Sequence, residues 1–257
     1  SFKDKTNKKA LMGTITHKVM QTLGDKKVAM NKGLEIVEDE ETGRNLTLDE
    51  CDDLELLNDI AFDYYSNAFP EVDITEKDKK TCLKWAEKAV AYQDGALDPR
   101  NQEVFATELF FDIEIKKPWA KYKYEFEDQT VEGYLSIKGT VDLILKHDEE
   151  YYEILDYKTG KRINWATGEE KTHEKLQKDT QLLLYYYALK NMYPEREFSV
   201  SIYYINNGGL FSMVFDEDDY QKAEDILRQK FEQIRDIQQP RLLSNENSHW
   251  KCQKLCK

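Results

Sequence analysis

The sequence is poor in the residues that mark fibrous, disulfide-linked and membrane-spanning proteins. Of its 257 residues only 4 are cysteine, 5 are proline and 11 are glycine, which excludes a disulfide-rich secreted fold and a collagen-like chain. No apolar run approaches the ~18 to 20 residues needed to cross a bilayer. The first twenty residues also lack a signal-type apolar stretch. We therefore expect a cytoplasmic protein that does not bind a membrane.

Charge of one sign is abundant, since 50 Asp and Glu residues outnumber 37 Lys and Arg residues and give a net charge of -13. Eleven of the acids lie in residues 35–59 beside one base, Arg44, whereas residues 1–32 hold eight lysines against two acids. Because the distribution is uneven, the net charge does not exclude a nucleic-acid partner for one cleft. The simplest interpretation of residues 35–59 is a solvated helical or loop surface. The alternative is an acidic protein-interaction module that imitates nucleic acid.

The sequence pattern changes near residue 95. Before it, apolar residues recur at helical spacing, and after about residue 104 β-branched and aromatic residues predict strands. The predicted strands cover residues 105–115, 134–145, 151–157, 198–205 and 210–215, and the later helices cover 172–192 and about 218–237. We therefore predict an α/β fold with a sheet flanked by helices. Residues 1–95 would form an N-terminal helical region on a core of residues 96–257, in one folded unit.

Two carboxylates and a lysine fall close together on the strands around residues 139–158. Asp142 lies in GTVDLIL, and Asp156 lies fourteen positions later in ILDYKTG. Because strand side chains alternate, Lys158 shares a face with Asp156 at ~6 to 7 Å, and a hairpin of this length brings Asp142 beside Asp156. Each residue alone fits a solvated strand edge, but an unpaired carboxylate in an apolar strand is costly. Two converging carboxylates therefore predict a divalent cation, and oxygen ligands suit Mg²⁺ or Mn²⁺.

The same residues carry a resemblance to a known family. GTVDLIL, EILDYKTGK and the helical QLLLYYYAL resemble the PD-(D/E)XK nuclease superfamily, and within it the RecB-like branch of AddB-type and CRISPR-associated adaptation exonucleases. The resemblance covers roughly residues 11–23 and 104–215. It implies a restriction-endonuclease-like core with a central mixed sheet. In such a core Asp142 and Asp156 would bind the metal, and Lys158 would act in catalysis.

The resemblance also implies further metal ligands. The segment MGTITHKVM resembles the G-T-x-x-H motif of the branch, whose histidine binds the metal, and the matching residue here is His17. The predicted ligand set is His17, Asp142, Asp156 and the main-chain carbonyl of Tyr157. A lone histidine would otherwise be expected to have a structural role.

Three more residues match the family motifs. Glu108 in ATELFF matches the acid on the first strand of the core, whereas Asp112 and Glu114 fall at other places. Gln181 and Tyr185 match the Q-x-x-x-Y motif, and they face the same way because they lie one helical turn apart. They would contact the substrate backbone or support the catalytic lysine.

The cysteines match a related feature only in part. Many RecB-like nucleases hold an iron–sulfur cluster with one early and three late cysteines, and Cys252 and Cys256 resemble the start of the late group. A third late cysteine and a cysteine before His17 are missing, so we do not expect a complete cluster in this chain. Cys252 and Cys256 are then a vestige or a zinc half-site, and Cys51 and Cys82 are expected to be buried free thiols.

These observations predict a Mg²⁺- or Mn²⁺-dependent deoxyribonuclease that acts in recombination, repair or phage DNA metabolism. We expect this nuclease to be an exonuclease. Five bases after the motif could contact DNA phosphates, or could form a mixed-charge surface with the acids among them: Lys161, Arg162, Lys171, Lys175 and Lys178. The alternative function is a catalytically silent DNA-binding or scaffolding member of the same fold. A helicase or recombination partner, an oligomer and a longer parent protein all remain compatible with the sequence.

Overall fold

The computed structural model describes residues 7–126, 128–163 and 168–235. Its helices are α1 (Lys8–Asn31), α2 (Leu54–Ala68), α3 (Glu76–Val90), α4 (His173–Leu176), α5 (Thr180–Met192) and α6 (Glu217–Arg235). Its strands are β1 (Ile36–Asp39), β2 (Arg44–Thr47), β3 (Val104–Glu114), β4 (Lys121–Phe126), β5 (Gln129–Tyr134), β6 (Ser136–Lys146), β7 (Tyr151–Lys158), β8 (Glu197–Tyr204) and β9 (Gly209–Val214).

Five strands form the central sheet in the order β3-β6-β7-β8-β9. Strands β7 and β8 run parallel, and the other neighbouring pairs are antiparallel. Parallel neighbours need a crossover connection, which α4 and α5 supply between β7 and β8. The predicted α/β fold, a central mixed sheet flanked by helices, is therefore confirmed.

Apolar side chains cover both faces of the middle strands, because strand residues alternate between faces. On β7, Ile154 packs into the cluster built with α5 and α6, whereas Leu155 packs into the cluster that contains α1. Asp156 follows directly and is only 1% exposed. The sheet therefore holds this carboxylate in largely apolar surroundings, where its charge needs compensation.

Helix α1 joins the N-terminal helices to the sheet. Its first half packs against α2 and α3 through Ile15, Phe62 and Cys82, and further along the helix Gly24 lies against the side chain of Thr107 on β3. Both Cys51 and Cys82 are buried and free, as the sequence predicted. This crossing brings the middle of α1, and with it His17, to the sheet.

Part of the acidic segment differs from its prediction. Strands β1 and β2 form an antiparallel hairpin, and its Asp39 lies 2.7 Å from the ammonium of Lys18, with Glu41 at 3.2 Å. Lys18 is only 5% exposed, and a buried ammonium requires opposite charge. Residues 36–47 therefore form a β-hairpin rather than the expected helix or loop. The expectation of a solvated surface holds for Glu38, Glu40 and Glu41, which are exposed, but not for Asp39, which pairs with the buried Lys18.

Two further elements were placed incorrectly. The predicted strand 134–145 is divided at Leu135, whose N–H donates to the Ala120 carbonyl at 2.8 Å. The predicted helix 172–192 is two helices, since Asp179 accepts a hydrogen bond from the Gln181 N–H and caps α5. The β4–β5 hairpin was not predicted.

Some predictions lie outside the described residues, namely the end of the last helix near Ile237 and the cysteines Cys252 and Cys256. None of the helices in the described ranges has both the length and the hydropathy that a membrane crossing requires.

Candidate active site

Asp142 and Asp156 occupy neighbouring strands at the same level of the sheet. The last paired residues of β6 and β7 are Leu143 and Leu155, so the two aspartates stand one step beyond this pair. The main-chain N–H of Tyr157 donates to Asp142 Oδ2 at 3.3 Å. The hairpin spacing in the sequence thus leads to the expected juxtaposition, and the Tyr157 main chain lies beside it.

Glu108 lies on the other side of Asp142. The β3–β6 pairing on either side of it sets Glu108 opposite Asp142. Its backbone has a φ of 42°, in the left-handed region that non-glycine residues rarely adopt. Burial, together with the nearby charge of Asp142, raises the pKa of Glu108 to about 7. Strained backbone and a raised carboxyl pKa together are typical of functional positions.

Asp156 is the most buried of the three carboxylates. Burial and the charge of Asp142 raise its pKa to about 6, against the opposing effect of Lys158. The Lys158 ammonium lies 2.8 Å from both carboxylate oxygens, but its geometry forms a hydrogen bond only to Oδ1. Oδ2 is buried and forms no hydrogen bond, although the Lys158 ammonium compensates its charge. A carboxylate oxygen has two lone pairs, so Oδ2 keeps acceptor capacity for a further cation or donor.

His17 pairs with the other aspartate. Its Nδ1 lies 3.2 Å from Asp142 Oδ2. Burial lowers the pKa of His17, but the hydrogen bond and the charge of Asp142 outweigh this effect and raise it overall. The same contact lowers the pKa of Asp142 although burial opposes it. Each aspartate therefore has its own partner, the His17 imidazole for Asp142 and the Lys158 ammonium for Asp156.

Gln181 and Tyr185 on α5 contact each other as their spacing predicted. The Gln181 side-chain amide donates to the Tyr185 hydroxyl at 2.7 Å. Burial and the charge of Asp156 raise the pKa of Tyr185, so its phenol is neutral beside the acidic group. The pair lies on the side of Asp156 away from His17's helix and holds the phenol in place.

A cavity of about 730 Å³ opens over these residues, and we call it the carboxylate cavity. Four predicted residues line it, namely His17, Glu108, Asp142 and Lys158. Asp156, Gln181 and Tyr185 are outside the lining that the described residues form and sit behind it.

Sequence reasoning missed other lining residues. Lys18, Glu41 and Tyr65 also face the carboxylate cavity, and Tyr65 donates to Glu41 at 2.7 Å. They come from α1, the turn of the β1–β2 hairpin and α2, which are distant in sequence from the nuclease motif. The one available signal was Lys18, a lysine beside His17 among the buried apolar residues Ile15, Val19 and Met20 of α1.

The donor set fits a hard divalent cation. Carboxylate oxygens and one imidazole are ligands that Mg²⁺ and Mn²⁺ accept, and Asp156 Oδ2, which pairs with Lys158 but forms no hydrogen bond, has acceptor capacity that a cation can use. In the described part of the chain, no group of three histidine, cysteine or carboxylate side chains already converges on one metal position. The Lys158 ammonium provides positive charge in this arrangement.

The bases that follow the motif are largely neutralised. Arg162 pairs with Glu170, and Lys171 lies 2.8 Å from Asp179. Lys175 likewise lies 2.7 Å from Glu169. For these three bases the mixed-charge surface is the better interpretation.

Comparison with known proteins gives a family match over nearly the whole chain and distant matches among solved structures. The sequence model of the PD-(D/E)XK nuclease superfamily matches residues 3–257. A crystallised protein of Eubacterium rectale named "Putative exonuclease" has 11% sequence identity and a TM-score of 0.42. That match covers 70% of this chain and 63% of the other, so this chain spans less than two thirds of that protein. None of the curated proteins matches the chain in sequence.

Proposed function

The chain belongs to the PD-(D/E)XK nuclease superfamily, and from this premise we propose that it is a metal-dependent deoxyribonuclease of the RecB-like branch. It hydrolyses phosphodiester bonds as an exonuclease, in recombination, repair or phage DNA metabolism. One observation carries the proposal: Asp142 and Asp156 stand side by side on β6 and β7, and the ammonium of Lys158 lies 2.8 Å from both oxygens of the buried Asp156. Burying two carboxylates and an ammonium together is costly, which favours a functional role over a purely structural one.

Mg²⁺ or Mn²⁺ would be held by Asp142, Asp156, His17 and the Tyr157 carbonyl, with Glu108 facing the same cavity. When bound, such a metal supplies an activated water and stabilises charge on the phosphate oxygens. The fold positions these ligands, since the β6–β7 pairing holds the two aspartates in place and α1 holds the imidazole of His17.

In this proposal Lys158 acts in its protonated, positively charged form. Burial lowers the pKa of Lys158, but the charge and hydrogen bond of Asp156 outweigh burial and raise it above its usual value. The ammonium therefore keeps its proton, so it orients the attacking water and stabilises the phosphate charge rather than removing a proton. Gln181 and Tyr185 support this end of the site from α5.

Cleavage of end-labelled linear DNA and of closed-circular DNA, each with Mn²⁺ or with EDTA, tests the proposal. We expect metal-dependent loss of the linear DNA by the unmodified protein, and sparing of the circle. Asp156→Asn should abolish the loss, because it removes the buried charge while it keeps the side-chain shape.

Asp112→Asn is the matched control, since Asp112 lies on β3 but is exposed and pairs with Lys138 at 2.6 Å. It should cleave like the unmodified protein. If the folded protein binds DNA but cleaves neither substrate with either metal, the proposal fails and the chain is a silent DNA-binding member of the superfamily. Cleavage of the circle would instead make it an endonuclease.

A further inference from the structure

A second cavity of about 930 Å³ adjoins the carboxylate cavity. The two share Lys9, Ala10 and Thr159 in their walls, so they lie side by side. We call the second one the tryptophan cavity, because its largest side chain is that of Trp85 on α3. None of the roles proposed above uses it.

Trp85 is held in place by the protein and still faces the cavity. It is half-buried and packs against two apolar clusters. On α3 it lies beside the stripe of fully buried residues Cys82, Ala86 and Ala89, so one side of the indole touches the core while another part lines the cavity. Met12 and Ile163 extend this apolar wall. A rigid aromatic wall of this kind suits a flat ligand.

The two cavities differ in charge. The carboxylate cavity is lined by three carboxylates and three lysines, namely Glu41, Glu108, Asp142, Lys9, Lys18 and Lys158. The described residues that line the tryptophan cavity include Lys9 and Lys161 and no carboxylate. Gly160 lies on the same wall, and a Cβ placed on it would meet no neighbouring atom within 4 Å, so there is open space next to its main chain. The tryptophan cavity therefore combines an aromatic surface with a basic rim, which matches the base and the phosphate of a nucleotide.

We propose that the tryptophan cavity binds an unpaired segment of the DNA strand, with a base stacked on Trp85 and phosphates near Lys9 and Lys161. The strand must be unpaired because the faces of bases inside a duplex are covered by their neighbours, and an indole can stack only on an exposed face. Continuity with the carboxylate cavity then places the scissile phosphate next along the strand. This inference rests on the proposed function, and it names single-stranded DNA, or an end with an unpaired strand, as the substrate class.

Binding of fluorescein-labelled oligonucleotides in EDTA tests the inference without cleavage. The probes are an oligothymidylate of twelve nucleotides, an abasic strand of equal length and a blunt duplex. We expect Trp85→Ala to weaken binding of the oligothymidylate about tenfold or more and Trp85→Phe to weaken it much less, since one ring remains. Neither variant should change binding of the abasic strand. Lys161→Ala should weaken both single strands alike, since it removes a phosphate contact, and reduce the salt slope by about 0.7.

Tyr124→Ala is the matched control, because Tyr124 is an aromatic residue on β4, 53% exposed, that lines neither cavity. It should bind all three probes like the unmodified protein. Equal losses by Trp85→Ala on all probes would show a structural role and overturn the inference, as would unchanged binding by a folded Trp85→Ala. If Trp85 contributes to binding but no DNA is cleaved with metal, the proposed function fails and the inference stands. If DNA is cleaved and Trp85 contributes nothing, only the inference fails.

Discussion

At Asp156 both oxygens of a buried carboxylate lie 2.8 Å from the Lys158 ammonium, and Oδ1 also accepts a hydrogen bond from it. Burial and the charge of Asp142 raise the pKa of Asp156 to about 6, and Lys158 opposes this rise. Lys158 and Asp156 therefore form an ion pair in which each side chain compensates the buried charge of the other. A change at either residue leaves the other uncompensated, which makes the pair costly to keep unless it serves a function.

Lys158→Ala should abolish cleavage, with a loss of about 10²-fold or more, and should keep DNA binding. The reason is that the ammonium contacts Asp156 and faces the carboxylate cavity, whereas the proposed strand-binding wall lies elsewhere. Steady-state cleavage and oligonucleotide binding in EDTA measure the two effects separately.

Lys138→Ala provides the comparison for that experiment, because Lys138 is exposed and pairs with Asp112 on the sheet surface. It should cleave normally. Near-normal turnover by Lys158→Ala would remove Lys158 from the catalytic set, and loss of binding in parallel with cleavage would indicate a structural role.

The sequence predicted much of the site because its residues are close along the chain. Asp142, Asp156 and Lys158 are set by strand alternation and one hairpin, which are local rules. Glu41 and Tyr65 also line the carboxylate cavity, but they reach it only through the packing of the β1–β2 hairpin and α2 on α1. Packing between segments that are far apart in the sequence leaves no spacing pattern along the chain, so the positions of Glu41 and Tyr65 could not be predicted.

At the scale of elements, the central strands were predicted well because their apolar runs are long. The β1–β2 hairpin was missed because its strands have only four, largely polar residues each. Strand β4 had a signal that was overlooked, since its sequence KYKYEF alternates charged and aromatic residues. The break between α4 and α5 had a signal, the capping residue Asp179 before Thr180 and Gln181. The apolar run that follows obscured it.

Gly24→Ala should destabilise the protein, although alanine stabilises an isolated helix by about 1 kcal/mol relative to glycine. A Cβ at Gly24 would lie 2.5 Å from the methyl carbon of Thr107 and 3.2 Å from Leu143. Thr107 is stiff at its side chain and also bonds to Asp25, so it cannot move aside freely. Overpacking costs about 1 to 3 kcal/mol, so we expect a net loss of about 1 kcal/mol in urea unfolding.

Thr107→Ser identifies the cause, because it removes the obstructing methyl and keeps the hydroxyl for Asp25. In that background Gly24→Ala should cost much less, as a double-mutant cycle will measure. A stabilising effect of Gly24→Ala in the unmodified protein would mean that α1 and β3 are further apart than described.

At the scale of the whole molecule, the net charge of -13 raises the question of where cations bind. Residues 35–59 are the most acidic stretch of the sequence, yet part of their charge is already neutralised by Lys18. The exposed acids that remain can attract divalent ions weakly and without a defined geometry. Metal binding at a functional site differs from this weak surface binding, because it is lost when one buried carboxylate is replaced.

Thermal unfolding with and without Mn²⁺ makes that distinction. A ligand that binds only the folded state stabilises it by about 2.7 kcal/mol at 100 times its Kd, which corresponds to a rise in Tm of about 5 to 10 °C for a protein of this size. Asp156→Asn should lose this rise because it removes a buried ligand charge, and Asp112→Asn should keep it because that carboxylate lies on the exposed sheet surface. EDTA should reverse the rise in the unmodified protein. An equal rise in all three proteins would locate the ion on the acidic surface instead, and the metal site proposed between β6 and β7 would have to be abandoned.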